Sequence, residues 1–160
     1  MSLQKFLLTV SLAILFFALP TRGQTVVFGD DGPPSVYATV DLTGQSAAIG
    51  ATTIYAVPAT GVGMYRLTWN AKVTTAATTS SVLGGAGGFQ ITYTDADDSV
   101  ALTPLAVPNA LATGNSTATQ LSGVVAVNAK ASTNIQYRFG YTSVGATVMA
   151  YSLHIKLEKM

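Results

Sequence analysis

The chain has one histidine, His154, and a tight group of three aspartates, Asp95, Asp97 and Asp98; these are the residues whose types could do chemistry. A histidine works as a general base when a nucleophile and an orienting carboxylate lie within hydrogen-bond reach. No Gly-x-Ser-x-Gly motif supplies the nucleophile. His154 stands between Leu153 and Ile155, so on a strand it points to the face opposite both. We therefore expect a surface or interface histidine; Asp95 or Asp98 beside it in a cleft would restore a catalytic reading. The three aspartates are the candidate ligands for Ca²⁺, a hard cation that takes roughly six to eight oxygens. Their spacing offers two or three, and the glycine-bearing EF-hand loop is absent, so a solvated hairpin turn is the plainer expectation. Tyr55, Tyr65, Trp69, Tyr93, Tyr137 and Tyr141 could form a platform for stacking sugars, but most alternate within apolar segments, which points to core packing. Asn115-Ser116-Thr117 is a glycosylation sequon, meaningful only in a eukaryotic secretory pathway. The glycine pairs flanking Ala86 lack the lysine and the strand-to-helix setting of a phosphate loop. No residue pattern calls for a cofactor.

The elements that must position these side chains are strands. In Gly63 to Val73, Tyr65, Leu67, Trp69, Ala71 and Val73 share one face while Met64, Arg66, Thr68, Asn70 and Lys72 share the other. That period of two fits a strand and not a helix. Val36 to Leu42 and Thr52 to Val57 read as earlier strands, and Phe89, Ile91 and Tyr93 as the inward set of a later one that stops at the acidic turn. Val100 to Val107 contains Pro104, which confines it to a sheet edge or a bulge. Thr117 to Asn128 is strand-like with Gly123 as an expected kink; Ile135, Tyr137, Phe139 and Tyr141 line another face. Thr147 to Leu157 closes the chain, with Met149, Tyr151, Leu153, Ile155 and Leu157 on one side. Thr74 to Gly88, rich in threonine and glycine, predicts a mobile loop. Eight or so strands without helical periodicity imply an antiparallel sandwich or barrel.

Residues 1–23 read as a secretory signal peptide: Lys5, an apolar run from Phe6 to Leu19, Pro20, and small residues at Thr21 and Gly23 before a cut at Gln24. The run is shorter than the roughly 20 residues a bilayer requires, so no membrane insertion is expected after cleavage. Residues 24–50 read as an extended lead-in with a turn-rich Gly29 to Pro34, and residues 51–160 as one β domain. Lys5 and Arg22 leave with the signal, so six basic residues face seven acids, and no basic tract suggests nucleic acid. Charged residues make up 9% of the chain, against roughly 25% in typical soluble domains. A surface this poor in charge is cheap to bury against another copy of itself. With no cysteine, disulfides cannot stabilise the exported fold, leaving the core and subunit contacts to do so.

Gly63-x-Tyr65-x-Leu67-x-Trp69 resembles the Gly-x-Tyr strand of the tumour necrosis factor and complement globular-head superfamily. The resemblance implies a ten-stranded antiparallel jelly-roll β-sandwich, with the tyrosine in the core and the last strand at the centre of a homotrimer. From about Asp41 to Met160 the chain is also similar to small proteins of tailed bacteriophages and soil bacteria, taken to be virion fibre, decoration or surface proteins. The signal peptide, which phage versions do not need, implies a bacterial exported form. Together these imply a secreted or cell-surface, non-enzymatic structural or adhesive module, with the periplasm as the alternative location. Its partners would be a cell-surface or glycan ligand and two further copies of itself. Tyr65, Leu67, Trp69, Tyr151, Leu153, Ile155 and Leu157 would line the core or the trimer interface. A carbohydrate-binding module, Ca²⁺-assisted or not, is the alternative.

Overall fold

The computed structural model describes residues 35–85, 87–106 and 112–160. Residues 1–23, read above as a signal peptide, and the lead-in up to residue 34 lie outside the described residues. All regular structure described is β. One four-stranded antiparallel sheet has the order β1-β11-β3-β8, built from β1 (Val36–Gln45), β11 (Ala150–Lys159), β3 (Gly63–Thr75) and β8 (Gln120–Ala129). The other has the order β2-β9-β5-β6, from β2 (Ile49–Ala56), β9 (Asn134–Phe139), β5 (Phe89–Thr94) and β6 (Ala101–Ala106). Three two-residue strands, β4 (Val82–Leu83), β7 (Ala112–Thr113) and β10 (Tyr141–Thr142), make a small third sheet in the order β10-β4-β7.

β3 carries the first sheet. It pairs with β8 from Gly63↔Ala129 to Lys72↔Gln120 without a register shift. Its Tyr65, Leu67, Trp69, Ala71 and Val73 are all buried, so the period-two reading holds residue for residue. Met149, Tyr151, Leu153, Ile155 and Leu157 are buried from β11 and its approach, and Phe89, Ile91, Ile135, Tyr137 and Phe139 from the second sheet. The two inner faces meet through aromatic rings, Trp69 on Phe89 and Phe139 against Tyr151. Gly123 produces no kink; it lies opposite Trp69 in an unbroken ladder.

Three segments depart from the sequence expectations. β1, inside the segment read as a lead-in, pairs with β11 from Val36↔Glu158 to Gln45↔Tyr151, so the sheet takes in residues before 51. Much of the described part of Thr74 to Gly88 is anchored. Leu83, Gly84 and Gly85 are buried, and the Asn115 side-chain amide donates to the carbonyls of Ala77 at 2.9 Å and Thr79 at 2.5 Å. A side chain at Gly140 would collide with the carbonyl oxygen of Gly85, so glycine is what lets this segment close onto β9. The last strand begins at Ala150, later than the Thr147 read from the sequence, and Ser152, His154, Lys156 and Glu158 lie on its second face. Pro104 falls on β6, an edge strand, within the register shift between Ile91↔Leu105 and Tyr93↔Leu102.

Candidate functional site

The outward face of the first sheet holds the chain's only histidine, and strand register decides its neighbours. Asp41 of β1 is paired with His154 of β11, which is paired with Asn70 of β3, which is paired with Ser122 of β8. The next row runs Thr39, Lys156, Thr68 and Val124. Because most of these side chains are short, the two rows leave a surface depression of about 440 Å³, lined also by Trp69 and Ile155. His154 Nδ1 lies 2.9 Å from Asp41 Oδ1; with a carboxylate accepting, the imidazole donates from Nδ1. The two side chains are 47% and 73% exposed, so the pair contributes about 0–1 kcal/mol to stability.

The row contains an acid, an imidazole and a hydroxyl, but it is not a catalytic triad. Ser122 stands two strands from His154, about 10 Å at the usual strand spacing. A base must approach its nucleophile to about 3 Å. What the row offers is a line of hydrogen-bonding groups across four strands. Asp41 is the partner that sequence reasoning missed. Its outward position follows from the alternation in Val36 to Leu42, but its proximity to His154 depends on a register between strands 113 residues apart.

Further along this face Glu158 is buried although it carries charge, because two cations reach it: Arg66 Nη2 at 2.6 Å and Lys156 Nζ at 2.6 Å from its two oxygens. The hydrogen bonds from Lys156 and then Arg66 hold its carboxyl below the ordinary value of 4.5.

The acidic turn does not gather into a metal centre. Asp95 Oδ1 accepts the Asp97 backbone N–H at 2.8 Å, and Asp98 Oδ1 accepts that of Val100 at 2.9 Å. These carboxylates shape the turn into β6, on the other sheet from His154. Among the described residues no group of three or more His, Cys, Asp or Glu is placed to hold a metal ion. Tyr65, Leu67, Trp69, Tyr151, Leu153, Ile155 and Leu157 are all core residues, Trp69 being the most exposed at 5%. Trp69 and Ile155 also floor the outward depression, while the other five are not part of its lining. Tyr65, Tyr93 and Tyr137 are likewise buried, which leaves no row of exposed aromatics among the residues considered for stacking. Burial raises the Tyr151 hydroxyl to about 12, and it donates to the Ala47 carbonyl at 2.8 Å. No protein-family model, curated protein or solved structure matches the chain.

Proposed function

We propose that this is an exported, non-enzymatic structural or adhesive module, a jelly roll that assembles as a homotrimer and binds a surface or partner through its loops. The strand order carries the reading. Counting only the eight long strands, the first, last, third and sixth form one sheet, and the second, seventh, fourth and fifth form the other. That interleaving is the one expected of a jelly roll, and it sets the last strand inside its sheet, as in the trimers the Gly-x-Tyr strand resembles. With the apolar side of β11 turned into the sandwich, subunits would meet on its outward face. The short Thr39, Thr68 and Ser122 and the 60%-exposed Val124 favour close approach there. Closed three-fold symmetry would cover that face without producing an open filament.

Lysine-directed cross-linking of the exported protein should give a ladder that ends at three copies and does not lengthen with concentration. A single band would count against the assembly. N-terminal sequencing of the secreted product should begin at Gln24. An uncleaved product retained in membranes would count against export.

A glycan-binding module is the second reading, favoured by the line of Asp41, His154, Asn70 and Ser122 across the depression. Screening the protein against a glycan array with and without EDTA separates its two forms. Retention only without EDTA supports the Ca²⁺-assisted form; retention in both supports the metal-free depression; retention in neither removes this reading.

A further inference from the structure

The outward face of the second sheet holds a cation that has no acidic partner among the described residues. Arg138 of β9 is exposed, and among the described residues it enters no ion pair. Its Nε–H donates to Oε1 of Gln90, the residue directly across on β5. Gln90 is itself only 9% exposed although its strand position faces outward. A side chain added at Gly87 would meet the Gln90 amide, which shows how closely the glycine turn packs on it. One edge of the guanidinium is therefore tied to a buried amide, while the Nη edge, which can grip carboxylates two-pronged, makes no bond among the described residues.

On the other side of Arg138 the ladder is broken. β2 pairs Ile49↔Phe139 and then Thr52↔Tyr137, so Gly50 and Ala51 together oppose Arg138 alone. A bulge of this kind re-aims the side chain it faces. Beside it lies a depression of about 250 Å³, walled by Ala48, Gly50, Gly88 and Gly140 around Arg138 and Gln90. A Cβ at Gly50 would meet no atom within 4 Å, so the missing side chain there leaves open space and relieves no clash.

We propose that this depression binds a small monovalent carboxylate, clasped by the Nη edge of Arg138. The charge favours a carboxylate over a phosphate: one guanidinium lines the site and no second cation does. Its volume lies at or below the lower end of small-molecule pockets, roughly 300 Å³, so a ligand no larger than one sugar acid fits. The site lies on the sheet opposite the one assigned to subunit contacts, so it does not depend on the oligomeric state.

The test is a titration of the purified ¹⁵N-labelled protein, followed at the backbone amides of Gly50, Gly88 and Gly140. The probes are acetate, glucuronate, glucose and inorganic phosphate. We expect saturable shifts at these glycines with acetate, with glucuronate, or with both, and none with glucose. Tighter binding of acetate marks a free carboxylate as the ligand; tighter binding of glucuronate marks a sugar-borne one. Arg138→Gln should weaken binding at least tenfold. Gly50→Leu should block it while leaving the remaining spectrum and the unfolding midpoint unchanged. Phosphate binding as tightly as either carboxylate, affinity unchanged in Arg138→Gln, or no saturable shift with either carboxylate would overturn the proposal.

Discussion

The indole of Trp69 on one sheet lies on the ring of Phe89 on the other, with centroids 4.6 Å apart and planes 17° from parallel. Phe139 meets the same indole from the side at 6.2 Å, and Gly123, across the ladder, adds no side chain to compete with it. One residue thus joins the two layers. Its Nε1 has no hydrogen-bond partner among the described residues, so the ring is held by packing alone.

Trp69→Ala should cost about 3–5 kcal/mol, measured by denaturant unfolding. Trp69→Phe should cost clearly less, because it keeps most of the stacking and removes a buried, unpaired N–H that itself carries a penalty of about 1–3 kcal/mol. A Trp69→Ala loss below about 1 kcal/mol would contradict the register assigned to β3.

Asn115→Ala should cost about 1–2 kcal/mol and expose the Thr74 to Gly88 segment to proteolytic nicking. It removes the two bonds from the amide to Ala77 and Thr79 and the bond to the Ser81 N–H. Cleavage mapped by mass spectrometry should fall in that segment first. Nicking confined to other loops would show that Asn115 does not hold it.

Tyr151 makes the fold sensitive to alkali. Its hydroxyl ionises near 10 in the unfolded chain and near 12 in the folded one, so the stability it confers is complete below 10 and is lost as pH rises toward 12. Tyr151→Phe should flatten that alkaline loss, read as the pH dependence of the unfolding midpoint. An unchanged slope would place the ionising group elsewhere.

Glu158 acts in the opposite direction. Its folded value lies below 4.5, so its contribution is present above 4.5 and disappears as pH falls through the depressed value. Glu158→Gln should destabilise the protein at neutral pH, with the gap to the parent closing on acidification. A gap that stays constant down to strongly acidic pH would show that the ion pairs with Lys156 and Arg66 are not its source.

Where burial follows alternation, the fold was legible in the sequence. Tyr65, Leu67, Trp69, Ala71 and Val73 read as one face of their strand and Tyr151, Leu153, Ile155 and Leu157 as one face of theirs, and all nine are buried. Pro104 lacks a ladder donor, which was enough to send its strand to an edge. What could not be read were the meetings set by register between distant strands. Asp41 beside His154, Gln90 beside Arg138 and Asn115 beneath Thr79 each join residues at least 36 positions apart. Glycine-rich composition misled for the same reason: the segment before Phe89 reads as loose locally, and it is fixed by contacts from Asn115 and Gly140. Nor does alternation reveal which side of β11 a neighbouring subunit would touch.

The proposed three-fold assembly is tested most directly by light scattering on residues 24–160 at micromolar concentration. The account predicts a single species of three times the monomer mass, reduced to monomer by a charged residue at Val124 on the outward face of the first sheet. A parent protein that scatters as a clean monomer would contradict it.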